Sequence, residues 1–484
     1  MKSGQYIKIQ AISGMIFRFG ERILAQLVST VVTILLARIL LPEDYGIVSL
    51  TTIVITLCNV LVTDGLSSSL IQKKDSDSLD FSTIFWVSLV LSFALYGAVY
   101  VCAPMIAAYY NQPMVIAILR VMGLRVPLAA INSVQSAYVS KHMMFKKFFW
   151  ATLAGTLISG VIGIYLAYHG AGAWALVVQY LAKTIIDTGV LWFIVRWRPK
   201  FEFSVKRFRD LFSFGWKVLV SGLIGEFYEE LRSLIIAKRY TATDLSYYTK
   251  ARHFPKLLGN NVSTTITLVM FPAFSQYQDD ISLLKKAVRR TMSVSAYILF
   301  PIMLGFAAIA DSFVRLVLTE KWLPCVPFIY VFSVMFLLKP LKNINKSVMK
   351  ALKRSDLDLY VNVFEKVIGI VLIFVFMNHG TLWLALSALV TYLIAAVVNS
   401  IVCGHLIQYS FGEQMKDILP HLLYSLIACL PAFLLNALSV HLVIKVLLQI
   451  LSAVVLYVGM SALFRTEAFL YVITYIKKKK VKPS

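Results

Sequence analysis

Acidic residues are scarce in this 484-residue chain: 24 Asp and Glu stand against 47 Lys and Arg, and charged residues of all kinds make up only 15%. Beside 59% hydrophobic residues, so small a charged fraction excludes an ordinary water-soluble domain, which has no interior large enough to hide that much apolar side chain. Cysteine is scarce too. Cys58, Cys102, Cys325, Cys403 and Cys429 lie in or beside apolar stretches, with no C-x-x-C and no histidine at ligand spacing, so they read as small buried hydrophobes rather than metal ligands. The chain lacks a G-x-x-x-x-G-K-[ST] phosphate loop, H-E-x-x-H, G-x-S-x-G and a dinucleotide fingerprint. No long polar stretch leaves room for a separate catalytic or nucleotide-binding module. These absences argue against an ATP-driven pump, and no cofactor, metal or catalytic residue is expected.

What is abundant is apolar length. The runs extend to roughly 20 residues, the span of a membrane helix, against about 10 alternating residues for a barrel strand. Hydrocarbon offers the backbone no hydrogen bonds, so an all-α integral membrane protein follows. Counting such runs gives about 14 spans, centred from Val28 and Val54 to Leu426 and Leu451. The first begins near Gly14 and continues to Leu41, too long for a signal-peptide core, and reads as an anchor that stays. Those around Gly123, Leu223, Ser263 and Ser333 carry several charges and should score weakly on hydropathy.

The net charge of +23 would suit a nucleic-acid partner in a soluble protein. Here the cations collect in alternate short loops, and no nucleic acid is expected. Lys73 and Lys74, Lys141 to Lys147, Arg196 to Arg209, Lys285 to Arg290, Lys350 to Arg354 and the Lys477 to Lys480 run fall on one side, whereas the loops at Tyr109, Tyr168, Met377 and Asn436 are bare of Lys and Arg. The excess marks the cytoplasmic face of the cell membrane and puts both termini there. Arg38, Lys238, Arg239, Arg315 and Lys321 are exceptions. Within the basic run, Phe201, Phe203, Phe208, Leu211 and Phe212 alternate with Lys and Arg, which predicts a linker helix over 199–214 lying in the anionic leaflet.

Comparing the two halves at a shift of roughly 200 positions reveals a parallel duplication. A-R-I-L-L-P-E-D-Y-G from Ala37 faces A-K-R-Y-T-A-T-D-L-S from Ala237. P-L-A-A-I-N from Pro127 faces P-L-K-N-I-N from Pro340; V-I-G-I recurs at Val161 and Val367; H-G-A-G-A-W from His169 resembles H-G-T-L-W from His379. Each match is weak, and their shared order persuades. The resulting plan is a six-helix lobe over 1–198, the basic amphipathic linker 199–214, a pseudo-symmetric six-helix lobe over 215–410, two additional transmembrane helices over 411–476 and a basic cytoplasmic tail over 477–484.

An ionisable group in the hydrocarbon costs about 2.5–3.5 kcal/mol on insertion scales, so it should face a cavity or a partner. Arg18, Glu21 and Arg22 share one face of the first span, and Lys217, Glu226, Glu229, Glu230 and Arg232 line the seventh, its equivalent in the duplication. Asp64 lies late in the second span, Arg120 and Arg125 in the fourth, and Lys183 and Asp187 at i, i+4 in the sixth. The eighth holds Lys250, Arg252, His253 and Lys256, and the tenth Lys339, Lys342 and Lys346. Cations exceed anions, which points to an anionic guest such as a diphosphate held by Arg18, Arg22, Arg120, Arg125, Lys183, Lys217, Arg232, Arg252 and Lys256. Glu21, Asp64, Asp187, Glu226, Glu229 and Glu230 are the candidates for binding a coupling proton or sodium ion. Separately, Ala151, Gly155, Ser159 and Gly163 repeat every fourth position, a stripe for close helix packing. Pro127, Pro255, Pro301 and Pro340 fall within spans and are expected to bend them.

Several stretches resemble the Wzx-type polysaccharide flippases of the multidrug/oligosaccharidyl-lipid/polysaccharide exporter superfamily. They are A-R-I-L-L-P-E-D-Y-G-I-V-S-L from Ala37, D-G-L-S-S-S-L-I-Q-K-K-D from Asp64, Y-Y-T-K-A-R from Tyr247 and E-K-W-L-P-C-V-P from Glu320. The resemblance implies two six-helix lobes around a central cavity that opens alternately to each face, and outward flipping of undecaprenyl-diphosphate-linked oligosaccharides for exopolysaccharide, capsule or O-antigen. Beyond that substrate and membrane lipid, it implies a polysaccharide polymerase and a chain-length regulator as partners. Two other readings stay open at this point: a drug or cation antiporter of the same superfamily, and a membrane polymerase or glycosyltransferase of the same pathway.

Overall fold

The structure, a computed structural model, describes residues 24–144 and 146–470; Arg18, Glu21, Arg22 and the Lys477 to Lys480 run lie outside them. Among the described residues the regular structure is all helical. In chain order the longer helices are α1 (Leu24–Ile39), α2 (Pro42–Gln72), α3 (Ser78–Tyr110), α4 (Met114–Lys141), α5 (Lys146–Tyr168), α6 (Ala173–Ile194) and α7 (Val205–Arg239). They continue with α8 (Ala242–Gln276), α9 (Ile281–Ala308), α10 (Glu320–Ala351), α11 (Ser355–Phe376), α12 (Thr381–Ile407), α13 (Phe411–Ala437) and α14 (Leu442–Leu463).

Twelve of these, all but α1 and α7, are long and apolar enough to cross a membrane. Their outward faces stay greasy: Val363, Val367 and Phe374 on α11 and Leu447, Leu451 and Val455 on α14 are all more than half exposed. Water would penalise such faces, whereas lipid solvates them at no cost, so the chain is a multi-pass membrane protein. Of the four spans expected to score weakly, three (α4, α8 and α10) reach membrane hydropathy. Their charges cluster toward helix ends and breaks and leave an apolar stretch intact. Only α7 falls short, because its charges are spread along its whole length.

Two of the four prolines accompany breaks. α4 is interrupted at Leu124 and restarts at Arg125, two residues before Pro127; α10 is interrupted at Leu338 and restarts at Lys339, just before Pro340. A proline near the start of a helical segment gives up an N–H that would have had no partner anyway, which is why the chain restarts there. Pro255 and Pro301 lie inside continuous helices. The pairing of P-L-A-A-I-N with P-L-K-N-I-N therefore marks the same restart in each half.

The other repeated stretch is a helix start. At Ala37 to Gly46 the chain enters α2 through Pro42, and Asp44 Oδ2 accepts the Leu41 N–H at 3.0 Å. At Ala237 to Ser246 it enters α8, and Asp244 Oδ2 accepts the Thr241 N–H at 3.1 Å while Thr241 Oγ1 accepts the Asp244 N–H at 3.0 Å. Both aspartates supply an acceptor to an N–H that the helix leaves unpaired; Thr241 answers Asp244 to complete a capping box, whereas Leu41 has no side-chain acceptor to answer Asp44.

The 199–214 segment differs from expectation. Residues 195–204 carry no helix, and 205–214 are the first turns of α7 rather than a separate helix on the leaflet. The extended strip is tied to α3 and α4. Trp86 Nε1 donates to the Lys200 carbonyl at 2.8 Å, the Lys200 N–H to Ser82 Oγ at 3.0 Å and Gln135 Nε2 to the Trp197 carbonyl at 3.1 Å. Phe201 stacks on Trp86 at 4.9 Å, and Leu211 joins a buried cluster with Leu66, Leu70, Phe81 and Val134. Arg207 pairs with Asp77 at 3.1 Å, and Lys73 with the fully buried Asp80 at 2.7 Å. Leu211, Phe208 and Arg207 are thus spent on packing and pairing at the α2–α3 turn, whereas Phe203 and Phe212 stay exposed and Phe201 keeps one face open beside Trp86.

Contacts gather the chain into two compact units that meet in sequence at Ser246 and Tyr247. In the first, α5 packs along α6 through its stripe of small residues. A Cβ on Gly155 would lie 1.7 Å from Asp187 Oδ1, and one on Gly163 would lie 2.7 Å from the Gln179 Cβ. α2 packs along α7 in the same unit. In the second, α10 packs with α9, α11 and α12, and α13 and α14 lie against α9.

Candidate functional site

The first unit holds an open recess beside a close contact of two helices. On α2 and α7, Gly65 and Gly215 meet backbone to backbone: a Cβ on Gly65 would stand 2.5 Å from the Gly215 carbonyl oxygen, and one on Gly215 would stand 2.9 Å from that of Gly65. Next to this contact Asp64, Ser68, Lys217, Val218, Ser221 and Gly222 line a recess of about 520 Å³. Asp64 accepts a 2.9 Å hydrogen bond from its neighbour Thr63 Oγ1, and Lys217 is exposed. One carboxylate, one ammonium and two hydroxyls therefore face a common space. Asp64 and Lys217 were separate expectations from sequence; Ser68 and Ser221 were missed, and the only signal for them was their position one turn from each charge.

Farther along α7, Glu226 and Glu230 are half-buried, Glu229 is exposed and Arg232 is buried, its guanidinium 5.6 Å from the Tyr228 ring centre. Other expected cations of this unit are occupied elsewhere. The Arg120 guanidinium stacks 4.3 Å over the Tyr100 ring on α3. Arg125, at the α4 restart, donates to Thr184 Oγ1 at 3.3 Å and sits 5.4 Å over Tyr180 on α6. Lys183 pairs with Asp187 at 2.5 Å along α6. The carboxylate of that pair is wedged against Gly155, a position that admits no side chain. So the structure brings Asp64 and Lys217 together, and sets Arg120, Arg125 and the Lys183–Asp187 pair on other helix contacts.

In the second unit Arg252 is half-buried and Lys256 exposed on α8, and the buried Lys250 lies 5.3 Å over the Trp322 ring. The larger feature here was half read in sequence, which marked Lys339, Lys342 and Lys346 but not their partners. Lys342 on α10 forms an ion pair with Glu365 on α11, Lys346 donates to Asn362, Lys350 stands 3.5 Å from Asp358, and Lys339 donates to Asn260 on α8. Glu365 escaped notice because, with Lys366 beside it, it reads as an adjacent pair of opposite charges in an apolar run. Its face is marked only by Asp358 and Asn362 at helical spacing.

A family described as "Polysaccharide biosynthesis protein" matches residues 35–327, more than half of the chain. The chain belongs to the polysaccharide biosynthesis protein family. This family member is similar to the teichuronic acid biosynthesis protein TuaB of Bacillus subtilis (strain 168), at 25% identity over 71% of this chain and 71% of TuaB. It is also similar to the lipopolysaccharide biosynthesis protein WzxC of Escherichia coli (strain K12), at 25% identity over 76% of this chain and 74% of WzxC. Its fold matches the lipid II flippase MurJ in an inward closed conformation, with a TM-score of 0.76 at 15% identity, covering 93% of this chain and 98% of that one.

Within the family member, the two second-half motifs that carried the resemblance pack on one another. Tyr247 donates its hydroxyl to the Lys321 carbonyl at 3.2 Å, its ring meets Trp322 edge-on at 6.1 Å, and the Cys325 thiol donates to the Tyr247 carbonyl at 3.4 Å. Trp322 is fully buried. Y-Y-T-K-A-R and E-K-W-L-P-C are thus two sides of one packed joint between α8 and the start of α10.

Proposed function

We propose that this protein flips undecaprenyl-diphosphate-linked oligosaccharide repeat units across the cytoplasmic membrane by alternating access. The observation that carries the reading is the recess at the α2–α7 contact, where an exposed ammonium, a carboxylate and two hydroxyls face one open space. A diphosphate is the anion that Lys217 would hold as a point charge, with Ser68 and Ser221 as hydroxyl donors and Asp64 placed to bind a coupling proton or sodium ion. Membership in the polysaccharide biosynthesis family supports a sugar-polymer pathway, and the names of TuaB, WzxC and the lipid II flippase MurJ support a lipid-linked passenger.

The finer topology belongs to the same proposal. Adding α1 and the charged α7 to the twelve apolar helices gives 14 spans, an even number that returns both termini to the cytoplasm. The repeats 1–198 and 215–410 act as two six-helix lobes, α7 opening the second in sequence while packing along α2 of the first, and α13 and α14 are the two additional helices. A polymerase and a chain-length regulator receive the flipped units on the far side.

Reconstitution into proteoliposomes with a labelled polyprenyl-diphosphate oligosaccharide tests the site. Lys217→Gln should lower the initial flipping rate about tenfold, the loss of one charge-assisted contact. Asp64→Asn should abolish any dependence of the rate on an imposed ion gradient. If both variants flip at the wild-type rate and respond to gradients as the wild type does, the recess is not the site.

A further inference from the structure

The α10–α11 hairpin of the second unit holds a ladder of cations that the proposed site does not use. Lys342, Lys346 and Lys350 follow one another at one-turn spacing on α10. Across the hairpin Glu365, Asn362 and Asp358 follow at the same spacing on α11, so each lysine meets one partner in turn. The outer rung is open, with the Lys350 side chain 54% exposed, and the inner one closed, with Lys342 at 11% and Glu365 at 12%. The Lys342 ammonium also lies 4.3 Å over the Tyr392 ring of α12.

The middle rung is the informative one. Lys346 is largely enclosed, at 18% exposure, yet its direct partner is the neutral Asn362 amide, and the closest carboxylate oxygen, Glu365 Oε2, is 3.9 Å away. Asn362 in turn donates to Asp358 Oδ1 at 3.0 Å, which fixes its carbonyl toward the lysine. Three ammonium groups thus share two carboxylates in a low-dielectric hairpin. An enclosed cation with an incomplete counter-charge is costly, and a multiply charged oxyanion is the ligand that completes it. The neighbouring outward face of α11 is apolar, with Leu359, Tyr360 and Val363 all more than half exposed, so a hydrocarbon chain attached to that anion has a surface to lie on.

We propose that Lys346 and Lys350 form a second anion station that receives the phosphates of a lipid-linked substrate, with Glu365 and Asp358 as resident counter-charges that stand in while it is empty. This rests on the flippase reading and adds to it a docking point at the end of α10 that the proposed topology puts in the cytoplasm. The phosphate group is shared by the diphosphate lipid, by anionic membrane lipids and by free inorganic diphosphate, and the test separates them.

The full chain in zwitterionic nanodiscs is titrated with polyprenyl diphosphate, with inorganic diphosphate and with phosphatidylglycerol. Wild type should bind polyprenyl diphosphate, Lys346→Gln about tenfold more weakly and Lys346→Arg nearly as wild type, with phosphatidylglycerol failing to compete. Lys346→Gln should also unfold no earlier than wild type, because it removes charge from a site with cations in excess, whereas a purely structural rung would be destabilised. Unchanged binding by Lys346→Gln alongside weakened binding by Lys217→Gln would overturn the ladder and leave the flippase reading standing. No polyprenyl diphosphate binding by wild type would overturn both. Equal competition by phosphatidylglycerol, or binding of inorganic diphosphate as tight as that of the lipid, would overturn the assignment to the substrate.

Discussion

Away from the α2–α3 turn, where Lys73 and Arg207 pair with Asp80 and Asp77, the spans of the two units hold charge differently. In the first, a pair such as Lys183 and Asp187 closes on a single helix, Arg120 and Arg125 lie on aromatic rings, and Asp64 and Lys217 are left facing an open recess. In the second, the Lys342 and Glu365 pair joins two helices and is enclosed by both. Charges paired within a helix neutralise each other without committing neighbouring helices to one arrangement. Charges paired across helices do commit them, and that difference sets what each substitution should cost.

The largest effect is expected where an interhelical pair is broken. Glu365→Gln leaves the Lys342 ammonium enclosed without its carboxylate and should lower stability by about 3–5 kcal/mol. Thermal unfolding in detergent would show this as a large fall in midpoint, with the double variant Lys342→Met/Glu365→Gln recovering most of it; equal midpoints for the single and double variants would contradict the pairing. The backbone contact of the first unit comes next. Gly65→Val drives a branched side chain into the Gly215 carbonyl and should cost about 2 kcal/mol, whereas Gly97→Ala on α3, where a Cβ meets open space, should be nearly silent in the same assay.

Smaller again is the difference between the duplicated helix starts. Asp244 accepts from both the N–H and the hydroxyl of Thr241, while Asp44 accepts from the Leu41 N–H. Asp244→Ala should therefore destabilise by about 1 kcal/mol and Asp44→Ala by less, and the reverse order would refute the cap assignment. The smallest effect is a pH dependence at the start of α3. The N–H of Asp80, and next to it the Arg207 guanidinium, hold the Asp77 carboxyl below the usual carboxylate range. A lowered folded-state pKa adds stability that is complete above the ordinary carboxylate value and is lost as pH falls through the lower one. Wild type should consequently lose slightly more stability than Asp77→Asn between pH 6 and pH 3.

Most of the fold was legible because lipid simplifies the code: apolar length alone locates a span, and the loop between two spans needs no further pattern. The matched stretches of the two halves coincide with like backbone events, a helix start at Asp44 and Asp244 and a restart before Pro127 and Pro340. The site was legible only in pieces. Lys183 and Asp187 announce their pairing because i, i+4 residues share a helix face. Lys342 and Glu365 do not, since only the folded hairpin brings α10 against α11. Of the stretch from Phe201 to Phe212, composition overstated only the helical extent: 199–204 run extended because their backbone is held by Trp86 and Ser82, and the helix begins at Val205.

The contact of Gly65 with Gly215 has a mechanical side. At that crossing the two backbones meet directly, while Leu219 rests on Gly65 and Leu211 packs with Leu66 and Leu70 to either side of it. A crossing this close fixes one point of the wall beside Asp64 and Lys217, and in a carrier it would serve as a pivot about which the rest of that wall tilts.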